Sequence, residues 1–165
     1  MMRLIGLDPG LRNTGWGVID MLNDKLTWIA SGKISPKNNM EIAERLKIIH
    51  INLTRILEKY QPKSAAIENI FVYKNAQSAL KLGMARGVAI AACSTKNISL
   101  KEYSPTTIKQ AVTGSGRASK EQIAAMIKIL LPGCNYSSHD ESDALAIAIC
   151  HTHFMQSKIT NITEF

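Results

Sequence analysis

In MRLIGLDPG (residues 2–10) an apolar run, Leu4-Ile5-Gly6-Leu7, closes on Asp8 and is broken by Pro9-Gly10. A continuous apolar run of this length, bounded by a turn signal, reads as a buried strand over residues 2–8. A second strand resumes from Thr14 to Met21. Asn23-Asp24 then marks a tight turn, and Leu26 to Ile34 alternates as a third strand, so the chain opens with an antiparallel meander. From residue 40 to 60 the period changes. Leu46, Ile49, Leu53, Ile56, Leu57 and Tyr60 fall three and four apart, the mark of an amphipathic helix, which Pro62 helps to stop. Ser64 to Ile67 reads as a short strand, Asn75 to Cys93 as a long helix rich in small residues, and Ile98 to Tyr103 as a fifth strand. Pro105 opens a short helix to about Val112. Thr113 to Ala118 is a glycine-rich loop, Ser119 caps a helix to Leu131, and a last helix runs from near His139 to about Met155. A meander followed by β–α–β crossovers predicts an α/β fold: a five-stranded mixed sheet with helices on both faces.

The 165 residues suit one domain spanning 1–165, large enough for its own core. No apolar run approaches the roughly 20 residues of a membrane span, and the acidic residue at position 8 argues against a secretory signal. Cys93, Cys134 and Cys150 are odd in number and scattered, which reads as reduced thiols in a cytoplasmic protein. The formal net charge is +7. That charge favours a polyanionic partner, and the low aromatic content argues against a base-stacking platform.

The acidic residues are few and pointedly placed. Asp8 closes the first strand, Glu68 closes the fourth, and Asp140 and Asp143 lie three apart at the start of the last helix. In open α/β sheets, sites form beyond the carboxyl ends of parallel strands at a topological switch point. If the first and fourth strands are neighbours, Asp8 and Glu68 converge. Spacing i, i+3 puts Asp140 and Asp143 on one helical face, while Glu141 lies about 100° away and points elsewhere. Each has a bland reading: Asp8 as a turn former, Glu68 as a solvated strand end, Asp140 and Asp143 as first-turn acids, and Ser138 with Glu141 as a capping box. Together they offer hard oxygen ligands of the kind Mg²⁺ takes, and two such ions can serve both oxygens of an in-line phosphoryl displacement.

Arg117 and Lys120 flank the glycine-rich loop at a helix start, where exposed N–H groups suit a phosphate; an ordinary loop with a capped helix fits the residues equally well. The spacing is not that of a Walker A loop. Lys109, one helix earlier, extends the same surface. Phe71, Tyr73 and Lys74 follow Glu68, and an aromatic there suits either the core or a wedge between bases. Gly83 and Gly87 would admit another backbone, within the chain or from a second copy. Cys150, His151 and His153 lack zinc-finger spacing and are set aside as a zinc site.

Four stretches, IGLDPGLRNTGWGVI, IENIFVYKNAQSALKLGMARGVAI, TGSGRASKEQ and DESDALAIAICHTH, together resemble the RuvC family of Holliday junction resolvases, in order and spacing, over nearly the whole chain. The resemblance implies a ribonuclease H-like fold and a metal-dependent endonuclease that resolves four-way DNA junctions by symmetric paired nicks, in recombination and repair. It implies Mg²⁺, with Mn²⁺ as substitute, held by Asp8, Glu68, Asp140 and Asp143. It implies a homodimer and the RuvA–RuvB branch-migration complex as partner. Lys109 and Lys120 match the family's basic residues near the scissile DNA, and Phe71 its aromatic at the junction centre. Met84 and Trp16 depart from the pattern, where glutamine and tyrosine are expected, and the end lacks a basic tail. Two rivals remain: a junction-binding module without turnover, which the intact carboxylates oppose, and an actin-like ATPase, which needs two lobes.

Overall fold

The computed structural model of the chain describes residues 1–69 and 75–160, leaving aside the side chains of 156–160. The elements are β1 (Met2–Asp8), β2 (Thr14–Leu22), β3 (Lys25–Ile34), α1 (Ile42–Tyr60), β4 (Ser64–Glu68), α2 (Ala76–Thr95), β5 (Ser99–Tyr103), α3 (Pro105–Thr113), α4 (Lys120–Leu130) and α5 (His139–Thr160). The order matches the sequence reading. The main difference is α5, which continues past Met155 because no proline or glycine follows to stop it.

The five strands form one sheet in the order β3-β2-β1-β4-β5. β1–β2 and β2–β3 are antiparallel, β1–β4 and β4–β5 parallel. Asn23 takes a left-handed φ of 52° in the β2–β3 turn, a conformation asparagine tolerates well. β1 has a hairpin partner on one side and a crossover partner on the other, which makes the β1–β4 boundary the switch point.

Strand parity divides the core. Ile5, Leu7, Val18, Ala65 and Ile67 face α1 and α2, in a cluster with Ile49, Leu53, Leu57, Ala85 and Ala89. Leu4, Ile19 and Ala66 face the opposite layer, with Ile108, Ile127 and Leu145 from α3, α4 and α5. β1 and β4 are therefore buried on both faces, which is why they read as unbroken apolar runs. On the second face α5 lies almost against the backbone. A Cβ added to Gly6 would fall 2.0 Å from the Ala144 carbonyl oxygen, and one on Gly15 2.1 Å from that of Asp140. Only glycine admits so close a helix. Among the described residues no helix is long and apolar enough to cross a membrane.

Candidate active site

Register places the first two carboxylates. Leu7 pairs with Ile67 across the parallel β1–β4 ladder, so Asp8 and Glu68 occupy adjacent strand ends on the next rung. Both share the parity of Gly6 and Ala66 and so lie on the α5 face. Asp8 pairs with Gly15 of β2, and the backbone of Asp140 rests directly on Gly15. The first turn of α5 thus stands over the end of β1, with Asp143 one turn further along the same side.

These groups sense one another. Burial, and then the charges of Asp143, Glu68 and Asp140, push the Asp8 carboxyl up to about 7, against a smaller opposing pull from Lys120. Burial and Asp143 raise Glu68, while Lys109 draws it back. Burial also raises Asp143, helped by Asp140 and opposed by Lys120 and His139. Four of the expected acids and two of the expected lysines therefore share one electrostatic neighbourhood. Lys120 stands at the start of α4 behind Ser119, whose hydroxyl accepts from Gln122 N–H while the Gln122 side chain accepts from Ser119 N–H. Arg117 is exposed in the preceding loop, and among the described contacts it reaches none of the carboxylates. Phe71, Tyr73 and Lys74 lie outside the described residues.

A cleft of about 310 Å³ opens beside this cluster, lined by Asp8, Pro9, Glu68, Asn69, Leu82, Arg86 and Pro105. Among the described residues, no ion pair or side-chain hydrogen bond occupies the carboxylates of Asp8, Glu68, Asp140 or Asp143. Nor are any three His, Cys, Asp or Glu side chains already closed into a ligand-ready group. Hard oxygen donors that repel one another and have no protein partner are chemically suited to a divalent cation, whose charge would draw them together.

Several supporting residues escaped the sequence reading. Arg86 of α2 donates to the Glu68 carbonyl and pairs with Glu102 of β5 at 2.7 Å, which pins the end of β4. An arginine inside a helix of small apolar residues was the available signal. Glu141 does turn away from its aspartate neighbours, as its helical angle predicts, but it is not the simple capping-box residue expected. The Ser138 hydroxyl accepts from Glu141 N–H, yet the Glu141 carboxylate accepts from the hydroxyls of Ser31, Ser137 and Ser138 and from Ser137 N–H. Burial pushes its pKa up, but these hydrogen bonds outweigh that and the net shift is down. His151, at the far end of α5, is fully buried and shares hydrogen bonds with Ser64 and Tyr103, both at 2.7 Å.

The model of the family described as crossover junction endodeoxyribonuclease RuvC matches residues 4–151. The crossover junction endodeoxyribonuclease RuvC of Paramagnetospirillum magneticum is 47% identical over 152 residues, 92% of each chain. That of Brucella anthropi is 45% identical over 156 residues, 94% of this chain and 91% of the other. Among solved structures, T. thermophilus RuvC in complex with a Holliday junction substrate is similar at TM-score 0.90 and 28% identity, over 96% of this chain and 97% of that one. The yeast mitochondrial Holliday junction resolvase Ydc2 shares the fold at TM-score 0.70 and 15% identity, over 97% of this chain and 81% of that one. The mixed sheet is thus the ribonuclease H-like arrangement expected from the sequence. With the family model spanning most of its length, this chain belongs to the RuvC family of crossover junction endodeoxyribonucleases.

Proposed function

We propose that the chain resolves four-way DNA junctions by hydrolysing one phosphodiester in each of two opposed strands, with Asp8, Glu68, Asp140 and Asp143 as ligands for Mg²⁺ or Mn²⁺. The observation that carries this reading is the shared electrostatic neighbourhood of these acids at the β1–β4 switch point, where burial first and then the charges of Asp143, Glu68 and Asp140 push the Asp8 carboxyl up to about 7. Two ions are proposed per site. Bound there, they supply charge stabilisation to the phosphate and acidify the attacking water. In the hydrolysis a water oxygen would bond to phosphorus and give up a proton to solvent while the bond from phosphorus to the 3′-oxygen breaks and that oxygen takes a proton from solvent, leaving a 5′-phosphate and a 3′-hydroxyl.

This chain's own residues do the rest. Arg86 fixes the backbone beneath Glu68, and Gly15 lets α5 deliver Asp140 to the end of β1. Lys120, which already opposes the charge of Asp8 and Asp143, is placed to stabilise negative charge growing on the phosphate. Lys109, beside Glu68, and Arg117 contact flanking phosphates. Phe71 contacts bases at the junction centre.

A homodimer supplies the second site. The outward face of α2 supports this: Gly83 and Gly87 have nothing within 4 Å among the described residues, and Leu80 and Met84 are 67% and 45% exposed beside them. Packing among the described residues therefore does not account for the two glycines. The RuvA–RuvB complex is the proposed partner that delivers junctions, with the cytoplasm as the place of action.

The test compares cleavage of four-way junctions and linear duplex, with Mg²⁺ and with chelator. Junctions should be cut only with metal and linear duplex hardly at all. Asp8→Asn should abolish cutting while junction binding persists. Loss of binding with residual cutting would reverse the assignment.

A further inference from the structure

Away from the carboxylates, on the opposite face of the sheet, a groove of about 470 Å³ runs between α1 and the edge strand β3. Lys33, Arg55 and Lys59 line it with Asn52 and Trp16, and no acidic residue does. The three cations are exposed, and none belongs to an ion pair among the described residues. On α1 the spacing makes a track. Arg45, Ile48, Asn52, Arg55 and Lys59 are three and four residues apart, so they share one stripe of the helix. At about 1.5 Å per residue, Arg45 to Lys59 covers about 21 Å. The head of the track is tied to the site: Arg45 donates to the Leu11 carbonyl at 2.7 Å, in the loop that follows Asp8. Lys33 pairs with Gly15, the residue opposite Asp8, two strand spacings or about 10 Å across the sheet.

We propose that this α1–β3 groove is a second DNA-contact surface, which takes the sugar–phosphate backbone of a junction arm leaving the active site. The inference rests on the junction-DNA reading above. One strand of duplex presents a phosphate about every 3.4 Å of axis, so a 21 Å track matches about six consecutive phosphates. Exposed cations that belong to no ion pair among the described residues are what such a backbone meets without desolvating a salt bridge. The half-buried Trp16 and the aliphatic stems of Arg55 and Lys59 give the groove an apolar floor that a sugar edge can cover. The surface reads no sequence; it sets the orientation of the arm relative to the cut.

The test measures junction affinity as a function of salt for the wild-type protein, for Arg55→Ala with Lys59→Ala, and for Lys47→Ala with Lys63→Ala, an equal charge loss outside the groove. The groove pair should make the slope of log affinity against log salt shallower by about two for each subunit that holds an arm and weaken binding at least about tenfold near physiological salt. The Lys47 and Lys63 pair should leave the slope as in wild type. The exchange Arg55→Lys with Lys59→Arg should restore it. An unchanged slope for the groove pair overturns the proposal and leaves the groove to an acidic protein surface. An equal drop in both pairs also overturns it, because general attraction then suffices. Wild-type binding and Mg²⁺-dependent cutting of the same junctions, measured alongside, test the parent reading: their failure sinks both, whereas normal values with an unaltered groove-pair slope sink only this one.

Discussion

Asp8 keeps its proton to about pH 7, whereas an aspartate in the unfolded chain loses it near 3.8. Between those values the folded state binds more protons than the unfolded one, so the metal-free protein loses stability as pH rises from about 4 to 7 and no further above that. Glu68 and Asp143 shift in the same direction and titrate with Asp8 as a group. Asp8→Asn removes the charge that burial and the three neighbouring acids oppose. In chelator it should stabilise the protein by about 1–2 kcal/mol at pH 8, and the gain should shrink toward zero near pH 4. Thermal unfolding at the two pH values checks this; a loss at pH 8 would mean that Asp8 is structural. Millimolar Mg²⁺ should reverse the order by stabilising wild type, because only wild type keeps all four proposed ligands. Lys120→Ala should slow single-turnover cutting about 10²-fold while changing junction affinity far less. Equal losses in both would make Lys120 a positioning residue.

At the scale of elements, the site depends on where α5 lies along the sheet. Its two aspartates reach β1 only because Gly6 and Gly15 let the helix backbone touch the strands. A methyl group at either glycine meets a main-chain carbonyl, which cannot swing aside as a side chain can. Gly15→Ala should therefore lift the first turn of α5, destabilise the fold by about 1–3 kcal/mol and sharply reduce cutting. Urea unfolding and single-turnover cleavage measure the two effects. Polar anchors hold both halves of the helix. Glu141 is tied to Ser31 of β3 near the start, and His151 to Ser64 of β4 and Tyr103 of β5 eleven residues after Asp140. His151→Phe takes the Tyr103 hydroxyl's partner away while Ser64 keeps its bonds to Ser99, and it should cost about 1–3 kcal/mol in urea unfolding with the slope unchanged.

Across the whole molecule, the sheet separates three jobs. One end carries the acids, the outward side of α2 offers the proposed partner face, and the α1–β3 groove carries cations that are unpaired among the described residues. The net charge of +7 thus surrounds a strongly anionic spot, an arrangement that attracts a phosphate backbone and a divalent cation to the same place. If α2 is the dimer contact, Leu80→Glu with Met84→Glu puts four like charges across it. Sedimentation should then show a monomer, and junctions should be nicked once where wild type makes paired cuts. A variant that sediments as wild type would move the interface elsewhere.

Much of this was legible in the chain. Leu4 to Leu7 and Ala65 to Ile67 are apolar without alternation because β1 and β4 are covered on both sides, and their acids stand where burial ends. The Ser119 cap and the 3.6-residue period of α1 are local signals, and local signals survive in sequence. Four features were not legible. The turn of Glu141 toward Ser31 joins residues 110 positions apart, as does, at long range, the burial of His151 between two strands. Arg86 stands out in a helix of small apolar residues, but its partners Glu68 and Glu102 lie on other elements and cannot be read from that position. The exposure of Gly83 and Gly87 depends on which side of α2 meets the sheet. The sequence by itself determined the elements, the acids at the ends of β1 and β4 and the family. Tertiary structure alone decided that four acids share one electrostatic neighbourhood, because that placement comes from the β1–β4 register and the near contact of α5 with two glycines, and neither is written in any one stretch of chain.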